Sequence, residues 1–439
     1  MTRFIIEGGI PLKGEVIIRG AKNSGFKLLI SSMFSDNTCM ISNLTKAGET
    51  KIALSVIKYL GGKYEFIGDH SVQINSRHLQ KYTLPQGVGK ESRASTMFAP
   101  ALLYRFGEAN LPWPGGDKIG NRPLDRHLEG FRSFGVKVEE GEKEIKFKVD
   151  KKVKGCHYKF SKPTHTGTDT MIMMASWAEG ETILENTAQE PEVDDLIDFM
   201  NKMGPDIKRL SPSVIRIKGV KKFRSARHLV IPDRNEAVTF ACAALGTKGS
   251  ISIFNIEPLH LIEFNNMLIH AGAKIEIGVN EMKVSFEDIL SPTNIETKPH
   301  PGFMTDWQAL WAILMTQARG KSSIIERVYP SRFQYTQELN EMGARIKLFN
   351  PQVDDPREYY YFNPNTDSPD YYHGAYIYGP TKLKGTQMTV NDIRAGATLT
   401  LAALIAEGKS TILEAEKIDR GYEELDARLT NLGGRINRI

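Results

Sequence analysis

The chain has 439 residues, of which 41% are hydrophobic and 25% charged, with a formal net charge of +5 at pH 7. That length exceeds one ordinary core and predicts two domains, and the composition is that of a soluble globular protein. The mild positive charge favours anionic ligands, but there is no polybasic run or motif of a nucleic-acid binder, and no apolar run long enough to cross a bilayer. Cys39, Cys156 and Cys242 have neither metal nor disulfide spacing, which predicts a reducing, cytoplasmic setting.

Met1–Glu7 reads as a strand rather than a secretory leader. A second strand, Glu15–Ile18, runs into Ala21-Lys22-Asn23-Ser24-Gly25 at an apparent helix start. From there a glycine that ends a helix and opens a short strand recurs at Gly61, Gly135, Gly204, Gly272, Gly343 and Gly433, spaced by about 70 residues except for a longer last gap. A second signal alternates with it. Small-residue helices end in a glycine turn followed by a β-branched strand, at Gly180, Gly320 and Gly408. Six units of two helices and several short strands imply two domains of three units each. Thr170–Ala178 and Ala395–Ala406 are apolar nearly all round, which predicts helices buried behind sheets.

Trp113–His127 combines Gly115, Gly116, Gly120, Pro114 and Pro123 with a dense run of ionisable groups, so it is neither a strand interior nor a regular helix. It reads as a long loop entering a helix near Arg122 or Pro123, and suits either a lid over a substrate or a solvated turn. Charged residues recur at other helix entrances: Ser92-Arg93, Pro232-Asp233-Arg234, Thr305-Asp306, Ser331-Arg332, Asn391-Asp392-Ile393-Arg394 and Ile418-Asp419-Arg420. Taken singly, each is more readily a cap than a catalytic group. Taken together, in a repeat whose equivalent entrances tend to point one way, arginines and lysines at helix N-termini make an anion trap, and aspartates among them are proton acceptors. Pro351–His373, rich in Asp, Pro, Asn and Tyr, reads as a surface insertion in which Tyr359–Phe362 forms a strand or a contact patch.

These motifs resemble the enolpyruvyl transferases, and most closely the UDP-N-acetylglucosamine 1-carboxyvinyltransferases of bacterial cell-wall synthesis. The match runs in order through Gly20-Ala21-Lys22-Asn23, Arg93-Ala94-Ser95, Pro114-Gly115-Gly116, Ile119-Gly120, Arg122-Pro123, Pro232-Asp233-Arg234, His300-Pro301, Thr305-Asp306, Arg332-Phe333, Asp392, Arg394-Ala395 and Ile418–Glu423. The resemblance implies an α/β fold of two inside-out lobes, each of three β-α-β-α-β-β units with helices inside and sheets outside. The first lobe would be residues 22–230, with a mobile loop at 111–124. The second would be 1–21 plus 231–439, with the insertion near 351–373. Substrates would bind in the cleft as lobes and loop close.

The implied reaction moves the enolpyruvyl group of phosphoenolpyruvate to the 3′-hydroxyl of UDP-N-acetylglucosamine, releasing phosphate, by addition and elimination through a tetrahedral ketal. By position, Lys22, Arg93, Arg122, Arg332, Arg394 and Arg420 would hold phosphoenolpyruvate, and Asp306 would take the hydroxyl proton. Asn23 would orient the reacting carbon, Asp392 would assist elimination, and Asp117 would donate a proton. Arg122, Pro123, Leu124, Asp125 and Arg126, with Lys162, Pro163, Thr164, His165 and Val328, match sugar-nucleotide contacts, and Asp233 and Arg234 join the substrate-binding set. The resemblance implies no metal or organic cofactor, small-molecule substrates only, no nucleic-acid or membrane partner, and a cytoplasmic monomer or weak homo-oligomer. The competing readings are a transferase for another hydroxyl acceptor and a non-catalytic anion-binding paralogue.

Several positions depart from the family pattern. Asp117 stands where most members carry a cysteine. Gly48 replaces a lysine, Tyr329-Pro330-Ser331 replaces a Glu-Asn pair before Arg332, and His165-Thr166 replaces a small apolar pair. A carboxyl titrates near 3.9 and a thiol near 8.5 in model peptides, so Asp117 implies an acid-shifted optimum. It also implies insensitivity to fosfomycin, which alkylates the cysteine.

Overall fold

The computed structural model describes residues 2–115, 120 and 123–439. The chain divides into two compact units, Met1–Arg19 with Pro232–Ile439 and Gly20–Gly116 with Pro123–Ile231. Each has its own apolar core. Among the described residues each unit also carries three sheets.

The sheets repeat one plan. A short strand lies parallel to a central strand, which pairs antiparallel with a third, itself paired antiparallel with an edge strand. Asn294–Glu296, Gly320–Ile325, Gly374–Gly379 and Arg345–Phe349 follow it, as do His157–Lys159, Glu181–Glu185, Val214–Lys218 and Asp206–Ser211. In the sheet built on Lys409–Leu413 the third place is taken by Arg3–Glu7, so the start of the chain completes the last repeat. The sheet of Glu108–Pro112, Lys137–Glu140 and Glu144–Lys148 has three strands, and a single parallel bridge, Thr83 to Asn110, stands where its fourth would be.

The inner helices carry the apolar runs. Lys22–Ser31, Phe98–Phe106 and His165–Ala175 lie largely buried in one unit, and Arg234–Gly246, Gln308–Met315 and Ile393–Ile405 in the other. This is the six-repeat, inside-out arrangement expected from the sequence. In the unit holding both termini Phe264, Phe303, Trp307 and Trp311 pack together, with Phe303 and Trp311 edge to face at 5.5 Å.

The six repeat glycines all have positive φ, between 78° and 135°. At Gly61 the turn closes with Gly62 N–H to Ile57 O at 2.9 Å and Gly61 N–H to Lys58 O at 3.1 Å, the Schellman pattern. Gly204 is the exception, because Pro205 has no N–H to make the outer bond.

Element boundaries differ from expectation where capping chemistry intervenes. The helix predicted at Thr170–Ala178 is His165–Ala175, because Thr164 caps it by accepting from Gly167 N–H at 3.4 Å. After the glycine-rich loop, expected to enter a helix near Arg122 or Pro123, the helix begins at Asp125, two residues past Pro123; Arg122 lies outside the described residues. In the insertion, Tyr359 ends a short helix, Pro356–Tyr359, and Tyr359–Phe362 form no strand. Tyr360 and Phe362 turn inward with ring centroids 4.7 Å apart, and the Arg327 guanidinium lies 4.1 Å from the Tyr359 ring.

Positive φ alone should cost alanine about 1–2 kcal/mol. A Cβ at Gly135 meets open space, whereas at Gly61 it would lie 2.6 Å from His78 O. In urea denaturation, Gly135→Ala is therefore expected to lose about 1–2 kcal/mol and Gly61→Ala measurably more.

Candidate active site

In the unit holding both termini, three aspartates stand at the entrances of the three inner helices and are used differently. Asp233 Oδ1 accepts from the N–H groups of Asn235 at 2.8 Å and Glu236 at 3.2 Å. Asp392 Oδ1 accepts from Arg394 at 2.9 Å and Ala395 at 3.0 Å. Both are N-caps.

Asp306 makes no such cap bond. It lies in the tight turn Thr305–Trp307 ahead of Gln308–Met315, and its carboxylate is shared by two arginines. Arg332 Nη2 donates to Oδ1 at 2.7 Å, and Arg394 Nε and Nη2 donate to Oδ2 at 3.1 and 3.0 Å. The guanidinium side chains are only 6% and 7% exposed, while the carboxylate is 24% exposed. Burial disfavours the charge on Arg332, but the carboxylates of Asp306, Asp392 and Glu326 more than offset this and hold it above the usual arginine range. Arg394 is raised likewise: burial opposes its charge, and Tyr422, Asp306 and Asp233 favour it. The result is a partly accessible carboxylate fixed between two permanent cations.

A second layer fixes those arginines. Arg332 Nε donates to Thr305 Oγ1 at 3.3 Å, and Thr305 donates to Glu326 Oε2 at 2.9 Å. The other Glu326 oxygen accepts from the N–H groups of Val328 at 2.8 Å and Tyr329 at 3.0 Å. Burial raises the Glu326 carboxyl above its ordinary value. The Arg394 guanidinium lies 5.3 Å from the Tyr422 ring, whose hydroxyl meets Thr239 Oγ1 at 2.8 Å. Arg234 Nη1 lies 3.0 Å from His300 Nδ1. Arg420 is half-buried, in the turn Ala415–Arg420.

In the other unit the predicted residues gather through backbone carbonyls. Lys22 and Asn23 open the helix Lys22–Ser31 and are half-buried. Arg93 Nη2 donates to Pro123 O at 3.1 Å, and Arg126 Nη1 donates to Pro163 O at 3.3 Å. Arg93, the segment Pro123-Leu124-Asp125-Arg126 and the turn Lys162-Pro163-Thr164-His165 therefore form one cluster. Buried His127 meets Thr166 Oγ1 at 3.1 Å, and burial, with Arg93 and Arg126, pushes its pKa down to about 3, so it is neutral. Asp117 and Arg122 lie outside the described residues.

Glu326 and His127 belong to these networks and were given no site role from the sequence. Each is an ionisable residue at the end of, or within, a run that folds as buried structure, and that is the signal that marks them.

The fold and this array of cations around a carboxylate define an enolpyruvyl-transfer protein. The model of the EPSP synthase (3-phosphoshikimate 1-carboxyvinyltransferase) family matches residues 6–429, and the chain belongs to that family. Among curated relatives it is similar to UDP-N-acetylglucosamine 1-carboxyvinyltransferase 1 of Carboxydothermus hydrogenoformans, 36% identical over 439 residues and covering 100% of this chain and 99% of the relative. The UDP-N-acetylglucosamine 1-carboxyvinyltransferase of Koribacter versatilis is 35% identical, with 100% and 97% coverage. Among solved structures the enolpyruvyl transferase NikO of Streptomyces tendae superposes with a TM-score of 0.85 at 23% identity, covering 100% of this chain and 98% of that one. EPSP synthase of Acinetobacter baumannii gives 0.73 at 17% identity over the whole of both chains. At those identities the structures establish the fold alone.

The caps and the shared carboxylate separate by mutation. Asp233→Ala and Asp392→Ala are each expected to lower stability by about 0.5–2 kcal/mol in urea denaturation, and the Asn variants, which still cap, to retain most of it.

Proposed function

We propose that the chain transfers the enolpyruvyl group of phosphoenolpyruvate to the 3′-hydroxyl of UDP-N-acetylglucosamine with release of phosphate, the committed entry into peptidoglycan synthesis. The observation that carries this reading is Asp306, a partly exposed carboxylate gripped by buried Arg332 and Arg394. The two arginines supply fixed positive charge for an anionic substrate, and the carboxylate supplies the base for a hydroxyl nucleophile. Full-length similarity to relatives bearing that name supports the choice of acceptor.

In this reading Arg332, Arg394 and Arg420 take up anionic groups of phosphoenolpyruvate, and Asp306 removes the proton from the attacking hydroxyl. Asp392, whose Oδ1 is committed as a cap, acts by fixing Arg394. In the other unit Lys22, Asn23 and Arg93 bind phosphate and orient the reacting carbon, while Arg126 and the turn Lys162–His165 hold the sugar nucleotide. Asp233 and Arg234 fix the entrance of their helix. The addition step forms the C–O bond and places a proton on the methylene carbon. Elimination then removes a proton from that carbon and expels phosphate, returning the enol ether. Asp117 is assigned the proton to carbon, and Arg122, in the same loop, joins the arginines that hold phosphoenolpyruvate. No helix among the described residues is long and apolar enough to cross a membrane, which accords with a cytoplasmic reaction on soluble substrates.

The first test is phosphate release from phosphoenolpyruvate. It is expected to require UDP-N-acetylglucosamine and to fall by about 10²–10⁴-fold in Asp306→Ala. Equal release without the sugar nucleotide, or full activity in the variant, would refute the proposal. Asp306→Asn, which preserves size and a hydrogen-bonding oxygen, separates loss of the base from loss of packing.

Asp117 has its own test. The pH–rate profile is expected to lie on the acid side of that of Asp117→Cys, since a carboxyl must be protonated to donate and titrates well below a thiol. Fosfomycin should inactivate the cysteine variant and spare the parent. Coincident profiles, or a stoichiometric adduct on Asp117 by mass spectrometry, would count against this role.

A further inference from the structure

A buried ion pair joins two inner helices whose N-terminal ends carry proposed site residues. Lys27, in Lys22–Ser31, is fully buried, and its Nζ donates to Asp169 Oδ1 of His165–Ala175 at 2.7 Å. The same Nζ lies 3.1 Å from His165 Nε2, and Asp169 Oδ2 lies 3.6 Å from that nitrogen. His165 belongs to the turn Lys162–His165 assigned above to the sugar nucleotide.

Proton inventory fixes the imidazole. A lysine ammonium has three donors and no acceptor, so a ring nitrogen at hydrogen-bond distance from it must present its lone pair. Lys27 Nζ already donates one proton to Asp169 Oδ1, and a further N–H is left for the imidazole. His165 Nε2 therefore accepts, and the ring proton sits on Nδ1. Burial pushes the Asp169 carboxyl up to about 7 against the pull of Lys27, with Glu190 and Glu192 at the entrance of Pro191–Met203 adding to the rise. On the other side of the turn, neutral His127 holds Thr166.

We propose that Lys27 and Asp169 are positioning residues for the acceptor substrate. The Lys27 ammonium locks His165 as the neutral Nδ1–H tautomer, so the turn meets the sugar nucleotide with an uncharged ring of fixed orientation. This rests on the functional reading above for the identity of the acceptor. The hydrogen-bond geometry does not depend on it. A purely structural staple between the two helices would be indifferent to the tautomer and to which substrate is bound.

The tautomer is read in the intact protein by long-range proton–nitrogen spectra of histidine labelled with nitrogen-15, with His165→Gln for assignment. The wild type should show an unprotonated Nε2 that does not titrate between about pH 6 and 8. Lys27→Met leaves a buried carboxylate and can fail to fold, so Lys27→Met/Asp169→Leu is the decisive variant: replacing both charges with apolar groups of similar size is commonly neutral or stabilising. There His165 should titrate in that range. The KM for UDP-N-acetylglucosamine should rise about tenfold, and that for phosphoenolpyruvate should change less than about twofold. Asp169→Asn, which keeps an acceptor for Lys27, should rescue most of the effect. A protonated Nε2 in the wild type, or an unchanged KM for the sugar nucleotide in the double variant, would overturn the proposal. A wild type with no activity on UDP-N-acetylglucosamine would instead overturn the functional reading, and with it the acceptor named here, whatever tautomer the spectra record.

Discussion

Two guanidiniums with almost no access to water are stable only because carboxylates are fixed within hydrogen-bond reach. Arg332 and Arg394 meet Asp306 through three bonds of 2.7 to 3.1 Å. Burying a charge costs several kcal/mol unless geometry returns it, and a carboxylate displaced by even an ångström forfeits much of that return. The requirement reaches outward. Asp306 must sit at the head of Gln308–Met315, Arg394 in the first turn of Ile393–Ile405, and Arg332 just before Tyr335–Glu341. Those two inner helices pack against each other and against Arg234–Gly246 in one apolar core. The sheets outside exclude water from that core, so the packing of alanines, leucines and tryptophans sets the register of the charges.

The repeat was legible because it rests on backbone chemistry that few residues satisfy. A helix that stops and turns into a strand needs a residue at positive φ, and glycine does this at least cost. A second positive-φ series escaped notice because it is not made of glycine. Asn43, Asn186 and Asn255 each follow the central strand of a sheet with φ of 55° to 57°, and their side-chain amides donate to Val230 O, Phe160 O and Ile18 O at 2.8, 2.8 and 2.6 Å. Each carbonyl lies at the end of the neighbouring parallel strand. Asparagine tolerates that conformation and closes the strand pair at once. Glu414 takes the equivalent position after Lys409–Leu413 with φ of 57°, which breaks the sequence pattern but keeps the geometry.

What stayed hidden in the candidate site is chiefly its buried ionic support. Lys27 stands alone in Phe26-Lys27-Leu28-Leu29-Ile30, and Asp169 alone before Thr170-Met171-Ile172. Their pairing spans 142 positions, beyond the reach of any local pattern. Of the two helices, only the second was recognisable as apolar nearly all round, over Thr170–Ala178, and Asp169 stands one residue before that stretch. A lone charge in such a helix has no solvated face to occupy, so burial of the helix already requires a partner of opposite sign. Glu326, closing the strand Gly320–Ile325, obeys the same logic with backbone N–H groups as partners.

Three aspartates at like positions in one unit carry the argument from repeat to chemistry. Duplication delivers the same residue type to each inner-helix entrance, and the default use of an aspartate there is to cap, as Asp233 and Asp392 do. An Oδ1 that already accepts two backbone N–H bonds is poorly placed to take a proton from a substrate, since protonation would forfeit stabilisation of the helix end. Asp306 escapes that commitment because its helix is entered through the tight turn Thr305–Trp307, whose preceding residue, Met304, has no capping side chain. Its carboxylate thereby pairs with the arginines and stays 24% exposed. A change of one local turn, three residues long, is sufficient to turn an aspartate of the repeat from capping its helix to pairing with two arginines.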